Sequence, residues 1–201
     1  MTTFRILGIM ALFVIVVALA ACAASSKISD SWSDPAAGPI KFKKVVVFFF
    51  SEEEAIRRAA ENELVRQIDG AEAVASYTLI PETEFEDLGK VKSRLKSGGF
   101  DGAVIMRLLG VDQQKTWVRG HYSNNYYSFD RYYGYSWHAV YDPGYLRTDR
   151  SARVETNVYS LTENKLIWTG ISETFNPKNA VSLVADVARA VANDLKSKGL
   201  L

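Results

Sequence analysis

The sequence predicts an α/β fold, with helices packed on a single mixed sheet. The elements run β-α-β-α-β, followed by an antiparallel hairpin and a C-terminal helix. Two observations carry this prediction. Residues 45–50 are six consecutive apolar residues, a pattern typical of a central, parallel strand buried on both faces. Residues 153–159 instead alternate apolar and polar side chains, which indicates a half-exposed strand of antiparallel character.

The first strand and helix occupy residues 42–70. The strand covers residues 42–50, and Ser51 with Glu54 then forms the pattern of a capping box at the start of a helix. Helical spacing predicts one buried face of this helix, formed by Ile56, Ala60, Leu64 and Ile68. Charged residues are expected elsewhere on the helix: Arg57, Arg58, Glu61 and Arg66. Gly70 is expected to follow the end of this helix, where glycine is favoured.

The remaining elements follow in order along the chain. A second strand covers residues 73–80, and a helix from Phe85 ends at Gly98 and Gly99. A third buried strand covers residues 102–109, so that right-handed crossovers connect a largely parallel core. The hairpin turns near Asn164, and Asn179 caps the last helix.

The amino terminus carries a short apolar segment. Arg5 is the only charge before Lys27, and residues 6–21 are sixteen apolar residues when Gly8 is included. A membrane-spanning helix needs about 20 apolar residues, so a signal peptide is the better interpretation. The alternative is an uncleaved membrane anchor with a free Cys22.

The segment Leu19-Ala20-Ala21-Cys22 resembles the lipobox of bacterial lipoprotein signal peptides. The resemblance implies that Cys22 receives a thioether-linked diacylglycerol, that the chain is cut before Cys22, and that the new amino group is acylated. Ala23 favours, by the same resemblance, an outer-membrane position facing the periplasm, with the inner membrane or the cell surface as alternatives. We therefore expect a signal peptide (1–21), a lipidated cysteine and tether (22–40) and one α/β domain (41–201). Trp32, within the tether, is expected to pack on the edge of the fold.

Composition limits the possible partners. Removing residues 1–21 removes Arg5 and no acidic residue, which leaves 23 basic and 23 acidic side chains. A neutral chain has no broad attraction for nucleic acid, so none is expected as a partner. Cys22 is the only cysteine, and His121 and His138 are the only histidines. We therefore expect no cofactor, no disulfide and no metal site.

An aromatic insert covers residues 117–147. Tyrosine among serine, asparagine and glycine is a composition typical of binding surfaces. Eight residues are candidates for such a surface: Trp117, Tyr122, Tyr126, Tyr127, Tyr132, Tyr133, Trp137 and Tyr141. Three interpretations stay open, namely an insert without a specific ligand, a protein contact, and a contact with glycan or with the bilayer interface.

The sequence contains no recognisable catalytic motif, and we expect no catalytic residue. An acidic cluster (Glu82, Glu84, Glu86 and Asp87) precedes a helix, where carboxylates are favoured by the helix dipole. The glycine-rich residues 98–102 follow a helix and enter a strand, the opposite order to a phosphate-binding loop.

Several segments resemble a group of small bacterial lipoproteins that contain a domain of unknown function. They are residues 31–35, 43–47, 57–58 with Glu61, 76–81, 100–104, the aromatic insert, and residues 155–159, 166–170, 172–174 and 176–177. The element order is similar to the amino-terminal domain of TolB, to the penicillin-binding-protein activator LpoB and to the curli secretion lipoprotein CsgG. This resemblance implies a non-catalytic, membrane-tethered module that binds an envelope protein or peptidoglycan. Two alternatives remain: an envelope hydrolase with paired carboxylates such as Glu155 and Glu173, and a structural protein that forms homo-oligomers.

Overall fold

One mixed sheet of six strands organises the protein. The computed structural model describes residues 26–118, 129, 130, 133, 136 and 144–201. The strand order is β1-β6-β5-β4-β2-β3. The strands are β1 (Ser26–Ser33), β2 (Lys44–Phe50), β3 (Glu72–Ala75), β4 (Gly102–Val118), β5 (Tyr145–Ser160) and β6 (Lys165–Phe175). Because β2 pairs in parallel with β3 and β4 while the other pairs are antiparallel, the predicted α/β fold with a mixed sheet is confirmed.

Helices cover the two faces of the sheet unequally. Helices α1 (Glu54–Gln67) and α3 (Ala180–Ser197) pack on one face, while α2 (Leu88–Ser97) packs on the other. The main core joins α1 and α3 to the sheet around Trp168, whose Nε1 donates to Asp194 at 2.8 Å. Val45 and Val47 contribute to this core, whereas Val46 and Phe48 face α2. Side chains of the apolar run 45–50 thus pack on both faces of the sheet.

The ends of the helices agree with the sequence in part. Asn179 caps α3 as predicted and forms a full capping box with Ser182, and Gly199 follows α3 with a φ of 68°. The capping box predicted at Ser51 was wrong, because α1 begins after Glu53, and Ser51 Oγ instead accepts a bond from the Glu53 amide at 3.2 Å.

Two of the four charged residues that the sequence analysis placed away from the buried face of α1 are in fact buried. Glu61 is fully buried, and Arg57 is nearly so. The Arg57 guanidinium pairs with Glu82 and lies 4.5 Å from the centre of the Phe85 ring. Burial is tolerated here because each charge is met by hydrogen-bond partners from distant segments.

The edge strand β1 lies inside the segment predicted as a tether. Residues 26–33 pair antiparallel with β6 from Ser26 opposite Thr174 to Ser33 opposite Trp168. Backbone pairing with an open sheet edge needs no long apolar run, which is why this polar segment gave no strand signal. Trp32 lies in this edge strand and is exposed.

Three other strands have different lengths from those predicted. β3 ends at Ala75, where a 3-10 turn (Ser76–Thr78) begins, rather than running to residue 80. β4 continues to Val118 instead of ending at residue 109, and β5 begins at Tyr145 rather than residue 153. Both ends of the predicted aromatic insert therefore belong to strands.

Candidate interaction surface

The two longest strands project beyond the rest of the sheet. Residues 111–118 of β4 pair with residues 145–152 of β5, from Val111 opposite Ala152 to Val118 opposite Tyr145. We call these two segments the ribbon. β2 ends opposite Arg107, and β6 ends opposite Ser151, so only the base of the ribbon has a neighbouring strand. A two-stranded ribbon is at best marginally stable alone in water, so a ribbon this exposed is a candidate for contact with a partner.

One face of the ribbon continues the sheet face that α1 and α3 cover. Val111, Trp117 and Leu146 on this face are 46%, 57% and 53% exposed, and Trp117 lies directly opposite Leu146. The alternation of side chains gives the same face Gln113, Lys115, Thr148 and Arg150. We call this the apolar-basic face, since its charged side chains are all basic. Neither Lys115 nor Arg150 forms an ion pair with a described residue.

The opposite face of the ribbon pairs its charges internally. Arg153 lies 3.5 Å from Asp112, and Arg147 lies 2.9 Å from Asp149. The pKa of Asp149 is lowered from its ordinary value, first because the Asn176 amide donates to its carboxylate at 3.0 Å and also because of Arg147. Uncompensated positive charge is thus found on the apolar-basic face.

Asn176 fixes the base of the ribbon. Its backbone amide donates to the Arg150 carbonyl, and its side-chain oxygen accepts from the Arg150 amide, both at 2.7 Å. Asn176 adopts a φ of 48°, a conformation that asparagine tolerates better than most residues. The residue therefore satisfies backbone groups at the end of β5's pairing with β6.

Only part of the predicted aromatic surface belongs to the described residues. Trp117 is exposed on the ribbon, and Tyr133 is exposed with its ring 5.8 Å from that of Phe129. The other candidates lie outside the described residues, as does Cys22: Tyr122, Tyr126, Tyr127, Tyr132, Trp137 and Tyr141. Sequence reasoning missed Leu146, Lys115 and Arg150. Alternation within a strand places Lys115 on the face of Trp117 and Arg150 on the face of Leu146, but only the register between β4 and β5 joins the two faces.

The carboxylates considered for catalysis have other partners. Glu155 lies 2.9 Å from Arg107, and Glu173 accepts a bond from Ser151 at 2.6 Å. In the acidic cluster, the pKa of Glu82 is lowered by the hydrogen bond from Arg57, and the pKa of Glu84 is lowered by the hydrogen bond from Arg94. Asp87 caps α2 by accepting from the Lys90 amide. These contacts are ion pairs and caps within the fold.

Two further features bear on the surface of the molecule. No helix within residues 26–118 and 144–201 is long and apolar enough to cross a membrane. The same part of the chain contains no group of three or more His, Cys, Asp or Glu side chains positioned to hold a metal ion.

Comparisons with known proteins find similarity in structure but not in sequence. No protein-family model matches the chain, and no curated protein matches it. Among solved structures, a PelC dodecamer from Paraburkholderia phytofirmans is 12% identical, with a TM-score of 0.41 over 83% of this chain and 95% of that chain. The lipoprotein GNA1162 from Neisseria meningitidis is 10% identical, with a TM-score of 0.40 over 77% of this chain and 99% of that one. Similarity at this level carries no argument about function.

Proposed function

We propose that this protein is an envelope lipoprotein anchored through Cys22, with a non-catalytic domain that binds the membrane surface through the apolar-basic face of the ribbon. The anchor follows from the lipobox resemblance of residues 19–22. The observation that carries the proposal is the exposed pair of Trp117 and Leu146 at the tip of the ribbon, with unpaired cations on the same face. The outer membrane, on its periplasmic side, is the proposed location.

The length of chain after Cys22 favours contact between the ribbon and the bilayer. Three residues lie between Cys22 and Ser26, and the four residue-to-residue steps that join them span at most about 14 Å when extended. Ser26 lies level with Val111, through the pairs Ser26–Thr174, Thr174–Ala152 and Ala152–Val111. The seven residues from Val111 to Val118 then extend about 23 Å beyond that level. A domain held so closely by its anchor brings the ribbon to the same membrane surface.

The chemistry of the apolar-basic face suits a lipid surface. Tryptophan is favoured at the membrane interface because its ring is apolar with one polar group. Lys115 and Arg150 are expected to contact lipid phosphates, since they have no acidic neighbour on the ribbon face. When the ribbon contacts the membrane, the opposite end of the sheet remains available to bind an envelope protein or peptidoglycan. These are the partner classes expected from the sequence.

A thiol placed on the ribbon tests this proposal. Cys22 is the only cysteine, so a lipidated wild-type chain offers no thiol to a maleimide dye, and L146C offers one. We expect an environment-sensitive dye on L146C to shift to the blue in vesicles of phosphatidylethanolamine and phosphatidylglycerol. Lipids with a nitroxide quencher should reduce its emission at least twofold, because the tip lies within the interface.

The matched control is E163C, which lies in the turn between β5 and β6 at the other end of the sheet. Its dye should remain unquenched. Replacing Lys115 and Arg150 by glutamate should reduce the quenching at L146C. Equal emission from both labelled positions, with and without the quencher, would contradict contact with the bilayer. Labelling of Cys22 in the wild-type protein would contradict the lipid anchor.

A further inference from the structure

The sheet face that carries α2 is covered only in part. We call it the outer face, and it lies opposite the face that α1 and α3 cover. The cluster of buried residues around α2 reaches Tyr159 of β5 and includes no described residue of β6 or β1. The outer face of β1, β6 and the adjoining part of β5 is therefore not packed against this helix.

A row of three side chains crosses the uncovered part of the outer face. Trp32 lies directly opposite Thr169, and Thr169 lies directly opposite Asn157. Their neighbours in sequence, Val158 and Trp168, belong to the main core, so the alternation of side chains places the row on the outer face. Trp32 is 47% exposed, and Thr169 and Asn157 are partly exposed. All three side chains are therefore accessible from solvent.

A second row lies beside the first, two residues away along each strand. Asp30 lies opposite Ile171, and Ile171 lies opposite Glu155. Asp30 is exposed, Ile171 is partly exposed, and the Glu155 side chain is 29% exposed. We call the residues of these two rows the outer patch.

The polar side chains of the outer patch have unused hydrogen-bonding groups. The side chains of Asp30, Asn157 and Thr169 form no hydrogen bond or ion pair with a described residue. Arg107 donates only to Oε2 of Glu155, which leaves Oε1 without a partner in the described part of the chain. Carboxylates accept hydrogen bonds, whereas amide and hydroxyl groups both donate and accept them. The outer patch therefore suits a ligand with many hydroxyl groups.

Trp32 adds an aromatic ring at the open edge of the sheet. The face of an aromatic ring is negative, and the C–H groups on one side of a pyranose ring carry partial positive charge, so the two surfaces attract each other. Neighbouring strands lie about 4.8 Å apart. Successive sugars of a β-1,4-linked glycan repeat at nearly the same spacing. A glycan that crosses the strands would therefore place one sugar over each of β1, β6 and β5.

The composition of the outer patch favours a neutral glycan over a protein or an anionic polymer. The core of a protein interface is depleted in charged residues, whereas the second row carries two carboxylates, those of Asp30 and Glu155. Trp32 is the only large apolar side chain of the patch that is mainly exposed. Asp30 has no basic partner among the described residues, and its charge repels anions.

We infer that the outer patch binds a neutral, β-1,4-linked glycan. One sugar stacks on the Trp32 ring, and the next two lie over Thr169 and Asn157. The carboxylates of Asp30 and Glu155 accept hydrogen bonds from sugar hydroxyls. Because the outer patch and the apolar-basic face lie on opposite faces of the sheet, this binding does not depend on the contact between the ribbon and the membrane.

Three soluble hexamers with the same linkage test the inference. Cellohexaose and chitohexaose are neutral, whereas the β-1,4-linked mannuronate hexamer carries a negative charge on each sugar. The lipoprotein is placed in phospholipid nanodiscs, and binding is measured by calorimetry against empty nanodiscs. We expect the wild type to bind at least one neutral hexamer, and to bind the mannuronate hexamer about tenfold more weakly.

Matched substitutions locate the binding on the outer patch. W32A and N157A should each weaken the binding of the neutral hexamer about threefold to tenfold. W32F keeps an aromatic ring and should retain more affinity than W32A. The controls Y145A and N193A remove an exposed aromatic ring on the ribbon and an exposed amide on α3, and both should bind as the wild type does.

Four results would each overturn the inference. They are no binding of either neutral hexamer by the wild type, wild-type affinity in W32A or N157A, and equal affinity for the mannuronate hexamer. The fourth is a dimer of the wild type in detergent, detected by analytical ultracentrifugation, that W32A abolishes. Such a dimer would assign the outer patch to a second copy of the chain.

Discussion

Replacing Cys22 by alanine is expected to abolish lipid attachment and leave residues 1–21 on the chain. A thioether requires the thiol, and the lipobox resemblance implies that cleavage follows lipidation. The intact mass of the envelope protein measures both events at once. The wild type should lack the first 21 residues and carry acyl groups, whereas C22A should have the unmodified mass of 22.4 kDa.

The loss of lipid has a large energetic consequence. Each buried methylene of an acyl chain contributes about 0.8 kcal/mol, and two or more chains give stable anchoring. The matched control is S25A, which keeps the thiol and should be processed as the wild type is. A wild-type protein purified at the unmodified mass would contradict the lipid anchor. It would favour the alternative, an uncleaved membrane anchor with a free Cys22.

Replacing Glu61 by alanine is expected to lower the free energy of unfolding by roughly 3–5 kcal/mol. The Glu61 carboxylate is fully buried and accepts three hydrogen bonds. Its Oε1 accepts from the Phe49 amide at 3.1 Å and from the Ser76 hydroxyl at 2.7 Å, and its Oε2 accepts from the Tyr77 amide at 3.1 Å. The substitution leaves three donors without partners where β2 and β3 end.

Urea unfolding followed by circular dichroism measures this effect. The E61Q side chain keeps one acceptor oxygen, but its amide nitrogen is itself a donor and faces a donor of the protein. We therefore expect E61Q to lower the free energy of unfolding by less than E61A and by more than E52A. E52A changes an exposed glutamate just before α1 and should alter stability by no more than about 0.5 kcal/mol. Equal stability of E61A and E52A would show that the three hydrogen bonds contribute little.

The core of the fold could be predicted because its signals are local. The apolar run 45–50 indicates a strand buried on both faces, and Val46 and Val47 indeed face opposite layers of helices. Asn179 and Ser182 form a cap within one turn of chain, so the start of α3 could be predicted from neighbouring residues. Such features can be predicted without knowing which residues from distant parts of the sequence pack against them.

Features that depend on distant partners could not be predicted. Glu61 is buried because amides of Phe49 and Tyr77 meet its carboxylate, and helical spacing alone says nothing about those donors. A weak signal existed, since Arg57, Glu61 and Leu64 are themselves spaced for one helical face. Strand β1 depends likewise on the open edge of β6 rather than on its own composition.

The candidate surface could be predicted only in part. The abundance of aromatic residues predicted a surface within residues 117–147, and Trp117 is exposed there. The apolar-basic face depends instead on the register that joins Trp117 to Leu146, and no pattern within either strand gives that register.

Photocrosslinking in living cells tests the central claim most directly. A benzoylphenylalanine residue replaces Leu146 on the ribbon or Glu163 at the other end of the sheet, and the adducts are identified by mass spectrometry after separation of the two membranes. We expect phospholipid adducts at position 146 in the outer-membrane fraction and none at position 163. Position 146 giving only protein adducts, or no more lipid than position 163, would contradict the contact between the ribbon and the membrane.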